Sequence, residues 1–188
     1  MKALRMMKKG KAAVPTGIVS EMFIADEVCS VEWLTSLCNL IVAQGRIPND
    51  WKSSILLLVF KWKGDSMEYG SYRATKLLEH AMKVIERVFE RRIREKVKID
   101  AMQFGFMPGK GTTDAIFTVQ QMQEKYGCKG KKLYFAFVDF GKAFDRVPRK
   151  VTRWALKKAG VEEWLVKAVM AMYEGAQTVV RMRFPESY

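Results

Sequence analysis

Lys131 to Arg149 reads KKLYFAFVDFGKAFDRVPR. Leu133 to Val138 is an uninterrupted apolar run, with lysines before it and Gly141 after it. Such a run fits a strand buried on both faces. The run ends on Asp139. A charge at the end of a buried strand is costly unless it is paired or binds a metal. A basic, amphipathic helix is expected just beyond, with Asp145 six residues after Asp139 and Pro148 closing the turn. A strand that delivers one Asp to its carboxyl end is one way to build a Mg²⁺ site for phosphate chemistry, because hard cations prefer oxygen ligands. From these residues alone the competing reading is a buried strand whose Asp caps the turn. Asp139-Phe140-Gly141 also spells the DFG of protein kinases. That reading needs an upstream His-Arg-Asp loop, and the single histidine, His80, is followed by Ala81.

The chain has 188 residues, 49% of them hydrophobic, which suits one domain or a piece of a larger one. Thirty-three Lys and Arg against 20 Asp and Glu leave a net charge of +13. That excess points to polyanionic partners. The interleaving of cations with aromatic and core positions favours nucleic acid over a membrane surface. The three cysteines, Cys29, Cys38 and Cys128, fit no zinc spacing or disulfide framework. A reducing compartment is the expectation: intracellular, cytoplasmic or nuclear, and not secreted. No apolar run approaches the ~20 residues that span a bilayer, and the N-terminal residues have no signal-peptide core.

Read in order, residues 1–11 are basic and expected to be loose. Ser20 to about Ala43 reads as a helix with Val28, Val31, Trp33, Leu34, Leu37, Leu40 and Ile41 on a broad apolar face, ended by Gly45. Trp51 reads as a packing residue. Ser54 to Phe60 is an apolar strand, followed by a cationic turn at Lys61-Trp62-Lys63-Gly64-Asp65 and a returning strand at Tyr72. Lys76 to Ile99 reads as a helix, its apolar stripe running through Leu78, Met82, Ile85, Phe89, Ile93 and Val97. Its basic residues suit either a nucleic-acid backbone or a solvated face. His80 reads as an ordinary polar position. Gln103 to Asp114 is a glycine-rich loop feeding a helix capped by Thr112 or Thr113, with Ala115, Ile116, Val119 and Met122 inward. It misses P-loop spacing by one residue at Lys110. Helices at Lys150–Lys158 and Glu162–Tyr173 and a strand at Gln177–Phe184 complete the reading.

The segment after Val138 resembles the first catalytic motif of reverse transcriptases from non-LTR (LINE-type) retrotransposons, Asp-x-x-Lys-Ala-Phe-Asp-x-Val. Here that pattern is Asp139, Lys142, Ala143, Phe144, Asp145 and Val147. The resemblance extends from about Gly10 to the end. Lys11 to Ile18 is similar to the stretch that opens the family's fingers, with Val14 where Gly is usual and Thr16 where Asp is usual. Tyr72-Arg73-Ala74-Thr75 resembles its Tyr-Arg-Pro/Ala-Ile segment, and Gln103 to Thr112 its Gln-x-Gly-Phe-x-x-Gly-x-x-Thr segment. Gly141 departs from the acidic or polar residue common there.

The resemblance implies an α/β right-hand polymerase, with fingers over residues 1–130 and a partial palm over 131–188. It implies RNA-directed DNA synthesis on an RNA template with a DNA primer or hybrid duplex and deoxynucleoside triphosphates. Arg73, with Lys61 or Lys63, would close on the triphosphate. Gly105, Gly109, Lys110 and Gly111 would lie against the template. Asp139 would ligand Mg²⁺, with the Phe140 carbonyl as a second ligand. Phe144 would pack under the sugar and exclude a 2′-hydroxyl, and Asp145 would cap the helix. The family uses two Mg²⁺ ions and takes two further carboxylates from an Ala-Asp-Asp hairpin. No Asp-Asp pair occurs in this chain. The expectation is therefore a palm truncated before that hairpin, inactive alone and either poorly soluble or dependent on a partner chain that supplies the missing palm. The alternative is a non-catalytic nucleic-acid-binding remnant of a retroelement.

Overall fold

The computed structural model describes residues 2–11 and 16–182. The Val14 departure, the last residues of the C-terminal strand reading and the side chain of Asp145 lie outside that description. The described residues fall into two compact units. One comprises residues up to Val97 together with those from Arg149 onward, and the other is Lys98–Pro148.

The first unit is built from α1 (Lys2–Arg5), α2 (Ser20–Ala25), α3 (Glu27–Gln44), β1 (Ser53–Phe60), β2 (Tyr72–Leu77), α4 (His80–Lys96), α7 (Arg149–Lys158), α8 (Glu163–Ala171) and β3 (Gln177–Met182). The single helix expected from Ser20 to Ala43 is broken at Asp26. Its carboxylate accepts the Cys29 N–H at 3.1 Å and so starts α3 as an N-cap. Gly45, at φ 63°, closes α3 by donating its N–H to the Ile41 carbonyl at 2.8 Å. Of the expected apolar face, Leu34 and Ile41 are buried, while Val28, Trp33 and Leu40 stay exposed. The N-terminal stretch is not loose: α1 buries Leu4 to 1% exposure and packs on α4.

α4 begins at His80, four residues later than the apolar stripe suggested, because Lys76 and Leu77 complete β2. Met82, Ile85 and Phe89 of the stripe are buried beside Val84 and Ala81. His80 is itself buried, at 1% exposure, rather than an ordinary polar position. These side chains meet Leu165, Val166, Ala168 and Ala171 of α8, with Trp51 and Ile47 in the same cluster. Trp51 is thus a packing residue, as its surroundings in the sequence suggested.

β1 is the centre of a three-stranded sheet of order β2-β1-β3. It pairs antiparallel with β2, where Val59 faces Arg73 and Phe60 faces Tyr72, and parallel with β3. The Ser54 hydroxyl donates to the Gln177 carbonyl at 2.9 Å and lies 3.1 Å from the Thr178 hydroxyl, which ties β3 to the centre.

The second unit holds α5 (Thr112–Gly127) and the single turn α6 (Ala143–Arg146). The strand expected at Leu133–Val138 is not formed. The segment carries no assigned strand or helix and joins no ladder, and Tyr134, Phe137 and Val138 are 83%, 86% and 76% exposed. The physical reason is the want of neighbours. A strand buried on both faces needs a sheet on each side of it and layers above and below. Among the described residues of this unit none is buried. The same lack leaves Ile116 and Met122 of α5 exposed where inward positions were expected. No described helix is long and apolar enough to cross a membrane.

Candidate functional site

In the first unit the β1–β2 hairpin gathers three of the predicted site residues at one end. The Lys61 N–H donates to the Ser71 carbonyl at 2.8 Å, one step beyond the Phe60–Tyr72 pair. The Lys61 ammonium donates to the Gly70 carbonyl at 2.9 Å, so its charge is turned onto its own hairpin. Arg73 is exposed on edge strand β2, and Lys63 is exposed in the connecting turn. Among the described residues neither side chain has a hydrogen-bond or ion-pair partner, which leaves both guanidinium and ammonium donors available to an anion.

The basic residues of α4 are largely engaged. Arg91 binds Glu95 at 3.0 Å and Arg94 binds Glu90 at 2.8 Å, each one turn away. Lys96 pairs with Glu162 at 3.1 Å, and Arg92 lies 5.4 Å over the Trp164 ring. Burial lowers the Lys83 ammonium from its usual range and raises the Glu86 carboxyl above its own. This is the pattern of a helix that spends its cations on its own neighbours, and it favours the solvated-face reading of α4.

In the second unit the glycine-rich loop is stabilised from within. Gly109 sits at φ 70° and Phe106 at φ 59°, the left-handed region that Phe enters rarely. The Gln103 side-chain amide donates to the Gly105 carbonyl at 3.0 Å. Lys110 donates to the Ala101 carbonyl, and its ammonium lies 5.4 Å over the Phe104 ring. Gly111, not Thr112 or Thr113, is the N-cap of α5, and its N–H donates to the Asp114 carboxylate at 2.7 Å. The correction has a simple cause: an acid three residues into the helix reaches back to the first free amide. The amide that a phosphate would use at Gly111 already faces a carboxylate.

Asp139, Phe140 and Phe144 lie in the same unit, all exposed. The Phe144 ring meets Phe106 edge to face, at 5.8 Å between centroids and 89° between planes. Sequence reasoning singled out Phe144 but missed Phe106 as its partner. The signal was a second aromatic residue, beside Phe104, in the glycine-rich loop. Gly141 is under no steric demand, since a Cβ there would meet nothing within 4 Å.

Among the described residues no three His, Cys, Asp or Glu side chains come together to hold a metal ion. Two bridging Mg²⁺ ions need several carboxylates. Asp139 is one, so the residues described do not fit that pair.

Residues 61–185 match the family described as reverse transcriptase (RNA-dependent DNA polymerase). The chain is 31% identical over 150 residues to the Retrovirus-related Pol polyprotein from type-1 retrotransposable element R1 of Bradysia coprophila, covering 77% of this chain and 15% of that protein. It is 26% identical over 170 residues to the corresponding polyprotein from element R2 of Nasonia vitripennis, covering 90% and 16%. It is 30% identical over 127 residues to the RNA-directed DNA polymerase from mobile element jockey of Drosophila melanogaster, covering 63% and 13%. The matched part is thus a small share of each of these relatives.

Proposed function

The chain belongs to the reverse transcriptase (RNA-dependent DNA polymerase) family of retroelements, and from this premise we propose that its 188 residues grip nucleic acid and nucleotide without performing synthesis on their own. The observation that carries the reading is the solitary carboxylate. Asp139 stands exposed within the matched region, with no Asp-Asp pair anywhere in the sequence. In this reading residues 1–130 are fingers and 131–188 the beginning of a palm. Arg73 and Lys63 meet the triphosphate, with Lys61 holding the hairpin end. Gly105, Gly109, Lys110 and Gly111 border the template. Asp139 and the Phe140 carbonyl supply one side of a Mg²⁺ site, and Phe144 lies beneath the sugar. In the complete relatives the metal would supply charge neutralisation at the phosphates. The remaining carboxylates would come from residues other than these, in the same polypeptide or in a partner chain.

The alternative reading is a non-catalytic nucleic-acid-binding remnant of a retroelement. Primer extension on an RNA template, run beside filter binding to an RNA–DNA hybrid, tests both halves. The expected result is salt-sensitive binding with no extension. Mg²⁺-dependent synthesis abolished by Asp139→Asn would overturn the inactive reading, and absence of binding at low salt would overturn the nucleic-acid reading.

A further inference from the structure

Trp62 is 87% exposed, and its backbone lies at φ 58°, in the left-handed region that bulky side chains rarely enter. A side chain held there costs backbone energy that glycine would avoid. Burial does not offset that cost. Among the described residues the ring's one aromatic contact is with Phe60, edge on at 5.9 Å and 68°. A strained residue kept at a surface is a reason to ask what it binds.

The hairpin fixes the face on which this ring lies. Phe60 pairs across β1 and β2 with Tyr72, their rings 5.4 Å apart, and Val59 pairs with Arg73. Successive residues of a strand point to opposite faces. Trp62, Phe60 and Tyr72 therefore make an aromatic row on the face away from Arg73. The row is braced at its inner end, where the Tyr72 hydroxyl donates to the Ser66 carbonyl at 2.8 Å. Phe60 and Tyr72 are half-buried, and the indole ends the row in solvent.

We propose that the indole of Trp62 stacks on an unpaired base of single-stranded template, while the opposite face of the hairpin, carrying Arg73, is left to the triphosphate; this rests on nucleic acid being the chain's ligand. Lys61 and Lys63 flank the indole in sequence, which sets positive charge on either side of an open aromatic face. Of the acids in the same turn, Asp65 already accepts the Met67 N–H at 2.8 Å, and Glu68 lies beyond it. Cations beside an exposed ring suit a single strand, because the phosphates meet the charge and every base has a π face to stack. A stacked ring reads no sequence, so the site takes any base that is not already paired.

Filter binding of the full chain to two ligands at one salt concentration tests the proposal. One ligand is an RNA–DNA hybrid with a single-stranded RNA extension, and the other is the same hybrid with abasic residues throughout the extension. Their charge is equal, so stacking alone separates them. The parent chain should prefer the extension that carries bases about tenfold. Trp62→Ala and Trp62→Leu should lose that preference and bind the abasic ligand as the parent does, whereas Trp62→Phe should keep most of it. Trp62→Gly should also lose it, with a thermal midpoint no lower than the parent's, because glycine suits φ 58°. The fluorescence that the parent has and Trp62→Phe lacks should be quenched by the extended hybrid and not by a deoxynucleoside triphosphate alone. A Trp62→Leu chain that keeps the preference, a Trp62→Gly chain with a lower midpoint, or quenching by the triphosphate alone would each overturn the proposal. A parent that binds both ligands equally would overturn it and leave the nucleic-acid reading standing. A parent that binds neither would remove both.

Discussion

The rings of Phe106 and Phe144 meet at right angles, 5.8 Å apart, on a loop and a one-turn helix that are both exposed. The contact braces the residue that the family resemblance places beneath the nucleotide sugar. In a chain extended to carry the missing carboxylate pair, Phe144→Ala should relax discrimination against ribonucleotides, because a steric wall is removed. Phe106→Ala should act in the same direction and more weakly, since it removes only the brace. The ratio of deoxyribonucleotide to ribonucleotide incorporation in primer extension checks this. An unchanged ratio for Phe144→Ala would mean that this ring is not beside the sugar.

Stability should be concentrated in the first unit. Phe89 and Leu165 are 2% and 1% exposed in one cluster. Phe89→Ala should cost about 3–5 kcal/mol and Leu165→Ala about 2–5 kcal/mol. Phe137, at 86% exposure, is as large a side chain as Phe89. Its replacement by Ala should stay within about 0.5 kcal/mol. Urea unfolding of the three variants, followed by far-ultraviolet circular dichroism, compares them directly.

These contrasts mark where the sequence was legible. The β1–β2 hairpin, α3 with its Gly45 stop, α5 and the Met82–Ile85–Phe89 stripe could all be read from periodicity and punctuation, because their partners are near in sequence or general in kind. Leu133–Val138 could not. Its apolar run describes what the segment is suited to, and a strand exists only where another backbone supplies its hydrogen bonds. The site follows the same rule. Arg73 was singled out through the family resemblance and Asp139 by its place at the end of an apolar run, whereas the capture of Gly111 by Asp114 and of Lys61 by Gly70 depends on loop geometry that no spacing encodes.

The cations that bind nucleic acid should be those without internal partners. Arg73→Ala and Lys63→Ala should each reduce the slope of log affinity against log salt by about 0.7–0.9. Arg91→Ala should leave the slope unchanged, because Arg91 is already held by Glu95 at 3.0 Å. Filter-binding titrations with an RNA–DNA hybrid measure all three. A loss of slope for Arg91→Ala equal to that for Arg73→Ala would show that the ion pairs of α4 open on binding.

Glu86 gives a pH dependence of definite sign. Desolvation raises its carboxyl, with Lys83, Lys76 and Arg87 opposing the shift. A carboxyl raised in the folded state binds its proton more tightly there. Its stabilising share is complete below the ordinary Glu value of about 4.3 and is lost as pH rises through the raised value. Glu86→Gln should therefore raise the thermal midpoint at pH 7 and change it little at about pH 4. Equal gains at both pH values would mean that the charge of Glu86 is not what burial penalises.

Thr16 stands where the family resemblance implies an Asp, and the structure supplies a physical setting for it. Its hydroxyl donates to Glu79 at 2.6 Å and its N–H to the other oxygen at 3.4 Å, while Glu79 is only 3% exposed. A carboxylate at position 16 would stand against another that has little access to water. Thr16→Ser keeps the donor and should be close to neutral. Thr16→Val leaves a buried carboxylate short of one hydrogen bond, a loss of about 1.5–3 kcal/mol for a charged acceptor. Thr16→Asp adds repulsion to that loss. Like charges raise a carboxyl's value in the folded state, so the added penalty is absent at low pH and grows as pH rises through the raised value. At pH 7 the order of stability should be Ser, then Val, then Asp, and the gap between Val and Asp should narrow toward pH 4. Chemical denaturation at the two pH values measures it, and a Thr16→Asp chain no less stable than Thr16→Val at pH 7 would show that the two carboxylates do not meet.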